Sequence, residues 1–245
     1  MGNDRGVVTV MTQNMDEGTD FQEIRAARTP DEFERAVTTI YKNILATKPD
    51  ERAAAMAREI AKKRPDLVAL HEASLLQTGP LFAPPPPSAT TVEMDLIGSL
   101  LRELDKLGEP YGLVFIPPGG SDPGLIGWRT NLDAEAPSTL GFDVRITDRD
   151  AIIARTDIDM QMTALEVNDF SDVQTIQTPV GSIIIPGGWV QFDAIIRDQP
   201  LRFVSVHLDP GPSIDIQGAQ AIELVTNAAN TNLPIVFGGD FNAPR

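Results

Sequence analysis

The sequence predicts an α/β fold, and three observations predict it. Two strand-like runs stand early in the chain: Val7 to Gln13 (VVTVMTQ), rich in β-branched residues, and Asp66 to Leu70 (DLVAL), short and apolar. Between them lies a helix start, Thr29-Pro30-Asp31-Glu32, with a threonine cap, proline at the first helical position and glutamate three residues after the cap. The chain closes on a further apolar run, Leu233 to Gly238, which delivers Asp240 and Asn242 at its carboxyl end.

The remaining elements follow the same alternation. The helix opened at Thr29 runs to about Leu45. A second covers about Asp50 to Lys63, with Met56, Ile60 and several alanines as a narrow apolar stripe, and Pro65 stops it. The stretch after Glu72, "QTGPLFAPPPPSATT", reads as loop, because Pro84 to Pro87 cannot join a helix or a central strand. Such a run can dock into aromatic-grooved domains, but a stiff loop is the simpler reading. Leu96, Ile97, Leu100, Leu101 and Leu104 mark one face of a third helix, ended by Gly108. Tyr111 to Ile116 is a strand, and from there to residue 207 the pattern is β-structure with loops. Ala151 to Ala154 is a short strand. Trp189 to Ile196 and Leu201 to Val206 form a hairpin across Arg197-Asp198-Gln199-Pro200. Gln217 to Ala229 is a helix with Ile222 and Val225 among its apolar positions. No repeat or linker divides the chain, so residues 1–245 are expected to form one domain.

Composition narrows the function. The chain is 42% hydrophobic, enough for a substantial core. No apolar run approaches the roughly 20 residues of a membrane helix, and no leader precedes the first apolar segment. A cytoplasmic or a secreted location both remain open. With no cysteine, disulfides and thiolate metal sites are excluded. The formal charge of −15, from 35 acids against 20 bases, counts against a general DNA-binding protein, whose affinity comes from cations meeting phosphates.

Four expected strand ends carry polar residues: Asn14, Glu72, His207, and the Asp240/Asn242 pair. Singly, each has a plain structural reading as a turn residue, a solvated charge or a hydrogen-bonded imidazole. Together they form a pattern, because ligands of α/β sheets gather outside the carboxyl ends of strands.

The ordered set "TQNMD", "RPDLVALHE", "DRDAIIAR", "LRFVSVHLDP", "QGAQAIEL" and "PIVFGGDFNAP" resembles the endonuclease/exonuclease/phosphatase superfamily across nearly the whole chain. The resemblance implies a DNase I-like, four-layer α/β/β/α sandwich with its active site at one edge of two packed sheets. It implies that Glu72 binds a divalent metal, usually magnesium, with manganese or calcium as alternatives, and that Asn14 helps. It implies that Asp240 orients or activates the attacking water, that Asn242 contacts the phosphate, and that His207 donates to a phosphate oxygen. Asp16 matches an acid of some nuclease branches and is a weaker candidate.

These residue types suit the chemistry. A hard dication held by carboxylates offsets the phosphodiester's charge, and neutral donors stabilise the charge that develops. Two departures from the family pattern stand out. His71 replaces a glutamine, and strand alternation should turn it away from the metal, into packing or supporting contacts. The family's final aspartate-histidine motif, downstream of GDFN, has no match before Arg245. The resemblance therefore leads one to expect a C-terminally truncated member with little turnover, and a sheet edge left unpaired.

The expected function is a magnesium-dependent phosphoester hydrolase, most simply a phosphodiesterase, acting on nucleic acid, a phospholipid or a small phosphodiester. The alternative is a non-catalytic binding module that keeps the fold. Trp189, Phe192 and "SIIIPGGW" resemble a segment of secreted bacterial members, some of which act on phospholipids. A core strand is the simpler reading of the same residues.

Overall fold

A computed structural model of the chain describes residues 6–80, 89–115, 142–185, 187–209, 211 and 214–243. In chain order, β1 (Val10–Asn14) leads through a short α1 (Gln22–Ala26) to α2 (Pro30–Ala46) and α3 (Pro49–Lys63). Then come β2 (Leu67–His71), β3 (Leu75–Pro80), β4 (Thr91–Asp95), α4 (Leu96–Lys106) and β5 (Tyr111–Phe115). They are followed by β6 (Phe142–Thr147), β7 (Ala151–Arg155), β8 (Met160–Asp169), β9 (Gln174–Thr178), β10 (Gly181–Ile185), β11 (Gly188–Ile196), β12 (Gln199–His207), α5 (Ile214–Ala228) and β13 (Ile235–Asp240).

Two four-stranded sheets, ordered β1-β2-β7-β5 and β13-β12-β11-β8, form the centre. Alternation along β2 shows how they stack. Leu67 and Ala69 face Phe192, Ala194, Leu201 and Phe203 of the second sheet. Val68 and Leu70 face the other way, into a core with Ile40, Ile60 and Leu100 of α2, α3 and α4. Across the second sheet, Val204 and Val206 meet Leu224 and Ala228 of α5. The order of layers is thus helix, sheet, sheet, helix, the expected four-layer sandwich. Fully buried side chains such as Phe192 and Phe203 contribute about 1.5–3 kcal/mol each through lost water contact.

Close packing of β13 depends on a glycine. A Cβ on Gly238 would stand 2.9 Å from the Phe203 ring and 3.2 Å from the Ala69 methyl. The strand therefore lies tight against the inner layer, and its last residue, Asp240, pairs in register with His207.

Sequence expectations meet the structure unevenly. Thr29 caps α2, its hydroxyl accepting from the Glu32 N–H at 3.2 Å, while the Glu32 carboxylate accepts from Arg28 N–H rather than from Thr29. Helix α3 ends at Arg64, in the left-handed conformation one residue before Pro65. The β11–β12 turn uses Arg197 and Asp198, both at positive φ, and Pro200 already pairs with Ile195.

One reading is corrected. Gln77 to Pro80 and Thr91 belong to strands β3 and β4, which with β6 form a further sheet ordered β4-β3-β6. The polar and proline-rich composition hid them. Pro84 to Pro87 lie outside the described residues. On α5, Ile222 and Val225 are exposed, and the buried positions are Gln220, Leu224 and Ala228. Apolar residues spread around this helix, so side-chain type alone does not mark its inner face. Trp189, Phe192 and Ile183 are buried, as a core reading requires, while Ile184 is exposed. No helix among the described residues is long and apolar enough to cross a membrane.

Candidate active site

Strand register assembles the site. Asn14 lies beside His71 at the parallel ends of β1 and β2, and His207 beside Asp240 at the parallel ends of β12 and β13. Strand β7 runs antiparallel to β2, with Ala151 opposite Leu70, so its amino end brings Asp150 to the same rim. Glu72 leaves the strand at φ 50°, and Asp16 and Asn242 also adopt positive φ, at 57° and 46°. Left-handed backbone at non-glycine residues is costly, and it recurs where side chains are held for function.

Asn14 is the central tie. Its Nδ2 donates to Glu72 Oε1 at 2.7 Å and to Asp240 Oδ2 at 2.9 Å, while its Oδ1 accepts from the Asp16 N–H at 2.8 Å. This amide orientation is the one that puts a donor, rather than a third oxygen, between two carboxylates. Asp240 also accepts from the Asn242 N–H at 2.9 Å. Burial pushes the Asp240 carboxyl up, but the bonds from Asn14 and Asn242 and the two imidazoles outweigh it and hold it below its ordinary range. One amide hydrogen of Asn242 goes to the Leu208 carbonyl at 2.7 Å, fastening β13 to the end of β12.

Behind this row lies a second one. His71 is fully buried, and its Nδ1 lies 3.1 Å from Asp150 Oδ1; His207 Nδ1 lies 3.7 Å from the same oxygen. The two rings meet edge-on, with centroids 5.6 Å apart. Burial opposes ionisation of Asp150, yet its two histidine partners, His207 at ion-pair distance and His71 at hydrogen-bond distance, overcome it and hold this carboxyl well below the usual range. Burial likewise opposes protonation of His207, but Asp150 above all, then Asp148 and Glu72, raise its pKa to about 9. The ring is an imidazolium at neutral pH. Its Nε2, and that of His71, have no hydrogen-bond partner among the described residues.

The remaining acids are crowded. Glu17 is pushed well above its ordinary value by burial, then by Asp148 and Glu72, and Ser74 Oγ lies 3.3 Å from its Oε2. Asp148 is raised to about 7 by burial, then by Asp150 and Glu72, with His207 acting against them. Polar atoms of Glu72, His207 and Asp240 lie within 4.8 Å of one another, as do those of His71, Asp150 and His207. A cation between Glu72 and Asp240 fits this donor set, since oxygen ligands suit magnesium and the surrounding carboxylates are short of positive charge.

Asn14, Glu72, His207 and Asp240 therefore meet, with Asn242 just behind Asp240. Asp16 is turned aside: its Oδ1 accepts from the Gly18 N–H at 2.8 Å, and its Oδ2 lies 3.6 Å from Arg52 Nη1. Glu17, Asp148 and Asp150 escaped sequence reasoning, which looked only past the carboxyl ends of strands. The signal was present in "DRDAIIAR", where two acids at a spacing of two precede a strand.

No protein-family model matches the chain, and no curated protein matches it. Solved structures do overlap with it. TDP2 of D. rerio, complexed with a single-strand DNA product, shares 14% identity at a TM-score of 0.49, covering 97% of this chain and 62% of that one. Mannosyl-6-phosphatase Bt3783 of Bacteroides thetaiotaomicron gives 14% identity and 0.49, covering 98% of this chain and 67% of that one. An endonuclease/exonuclease/phosphatase family protein of Leptotrichia buccalis gives 18% and 0.49, with 97% and 69% covered. This chain thus spans about three fifths of the length of the TDP2 chain. Overlap of this order carries no chemistry from one chain to another.

Proposed function

We propose that this chain is a magnesium-dependent phosphoester hydrolase of the endonuclease/exonuclease/phosphatase type, acting on a phosphodiester by attack of water. The observation that carries the reading is the meeting of Glu72, Asp240 and His207 within 4.8 Å at adjoining strand ends, bridged by Asn14. The motif resemblance supports it independently, because it names the same residues from sequence order alone.

Glu72 would hold the metal, which when bound supplies charge to offset and polarise the phosphoryl oxygens, and Asn14, whose amide donates to Glu72 and Asp240, would help by fixing both carboxylates beside it. Asp240 is fixed by two donors and stays ionised, so it can accept a hydrogen bond from water and orient it for attack. Asp150 holds the His207 imidazolium in place, leaving its Nε2–H free to donate to a phosphate oxygen and take up charge as it develops. His71 meets the same Asp150 oxygen from the buried side and acts as a positioning residue. Asn242 steadies the loop that carries the attacking side.

The test is hydrolysis of bis(4-nitrophenyl) phosphate with and without magnesium, alongside thermal melting. Turnover should need the metal, and Glu72→Ala should lower it by roughly 10²-fold or more. Magnesium binds the native state alone, so it should raise the Tm of wild type, by an amount equivalent to about 2.7 kcal/mol at a hundredfold excess over Kd, and leave Glu72→Ala unmoved. Equal shifts in both proteins would remove Glu72 from the site.

A further inference from the structure

The carboxylate cluster is one end of a larger cavity of about 720 Å³. From Glu72 and His207 this cavity extends past α1 to the β9–β10 hairpin, where Phe21, Ile176, Ile185 and Trp189 line it. Ile176 and Trp189 are buried, and Phe21 and Ile185 are half-buried against the core. The indole N–H of Trp189 is already used, donating to Gln191 Oε1 at 3.1 Å, so its ring offers the cavity an apolar face. The wall is braced as well: Arg25 of α1 donates to Gln174 Oε1 of β9 at 2.9 Å, and Gln220 of α5 links Asp209 N–H and the Asp172 carbonyl at 2.9 Å each. A braced, concave, largely apolar space with polar groups at one end is how small-molecule sites are built.

Charge decides what enters. Arg25 is the lone arginine among the described residues of the wall, and the cavity's carboxylates far outnumber it, with Asp20, Asp169 and Asp209 adding to those of the cluster. A nucleic acid strand would bring a phosphate with every nucleotide into that field. A molecule with a single phosphate meets it only once, at the cluster where the metal and His207 stand.

We infer that the substrate is a small phosphodiester with one charged phosphate and a bulky apolar substituent that fills the space between α1 and the β9–β10 hairpin. This rests on the reading of the carboxylate end as a phosphoester hydrolase. The experiment compares 4-nitrophenyl phosphodiesters whose second ester is methyl, phenyl or naphthyl, with a single-stranded oligonucleotide as competitor. From methyl to naphthyl, kcat/KM should rise by about tenfold or more, chiefly through KM. Ile176→Asp should flatten that gradient and Ile176→Leu should keep it; Phe21→Ala, at a half-buried position, repeats the test should Ile176→Asp fail to fold.

Equal cleavage of methyl and naphthyl esters, an undiminished gradient in both Ile176→Asp and Phe21→Ala, or stronger competition by the oligonucleotide than by naphthyl ester would overturn the inference and leave the hydrolase reading standing. If wild type cleaves none of the esters, which the little turnover expected of this chain allows, binding replaces kinetics as the readout. Calorimetric titration with naphthyl methylphosphonate against dimethyl phosphate then decides the cavity alone. Tighter naphthyl binding that is lost in Phe21→Ala supports the apolar site, and equal binding rejects it.

Discussion

At the amino end of β2, Asp66 is buried and fully matched: it accepts from Thr9 N–H at 2.9 Å, from Thr9 Oγ1 at 3.1 Å and from Arg197 Nε at 2.9 Å. Six residues further on, at the carboxyl end of the same strand, Glu72 sits among Glu17, Asp148, Asp150 and Asp240, with the His207 imidazolium as a cation of the cluster. The first end spends its carboxylate on joining the sheets, since Arg197 comes from the β11–β12 turn of the second sheet. The second end keeps acid in excess. Crowding of buried carboxylates is costly, and on the proposed reading a cation at this rim would relieve it. The same strand thus carries a matched carboxylate at one end and a crowded one at the other.

The contrast can be broken first at the matched end. Arg197→Gln keeps the backbone of the turn but leaves Asp66 buried without its guanidinium, and should cost roughly 3 kcal/mol of stability, since removal of one partner of a buried pair strands the other. Urea denaturation measures it directly. A loss under about 1 kcal/mol would mean that Thr9 suffices for Asp66, and the two ends would no longer differ in kind.

Next comes the imidazolium of His207. The chain holds two histidines, so their ring protons can be told apart by NMR in metal-free protein. His207 should titrate near 9, because Asp150 outweighs burial. Asp150→Asn removes that charge and leaves burial dominant, so the His207 pKa should fall to its ordinary value or below. A His207 that still titrates near 9 in Asp150→Asn would transfer its support to Asp148 and Glu72, and Asp150 would lose its assigned role.

How far the sequence told this difference apart is itself instructive. Strand ends were legible to within one or two residues, because apolar runs of four to six residues bounded by charge admit few alternatives: Leu233 to Gly238 was expected where Ile235–Asp240 forms. Asn14, Glu72, His207 and Asp240 followed from those ends. Glu17, Asp148 and Asp150 did not, because they stand in loops or before an antiparallel strand, and only pairing brings the start of β7 beside the end of β2. The Asp66–Arg197 tie was equally hidden, since its partners are 131 positions apart. Strands β3 and β4 were lost to composition, with threonine, glycine and proline suggesting loop where cross-strand pairing prevails.

The smallest expected effect is the most pointed, because it should have the opposite sign at the crowded end. Asp148 is raised from 3.8 to about 7 in the fold, by burial first and then by Asp150 and Glu72. A carboxyl with a raised folded pKa costs nothing below its unfolded value, where both states are protonated, and its full penalty is present only above the folded one. Wild type should therefore lose stability as pH rises from about 4 to about 7 through this group. Asp148→Asn keeps a polar side chain of the same shape beside the Ser74 hydroxyl, 3.5 Å away, and removes the charge. In metal-free protein it should be more stable than wild type by on the order of 1–2 kcal/mol at pH 8, with the gap closing towards pH 4. Magnesium should narrow the gap at pH 8, because a cation relieves the same repulsion that the substitution removes. Paired urea midpoints at the two pH values, with and without the metal, measure all three quantities. If Asp148→Asn proved less stable than wild type at pH 8, burial and the neighbouring acids would not be what governs Asp148, and the claim that repulsion between carboxylates at this end of β2 is there for a cation to relieve would fail.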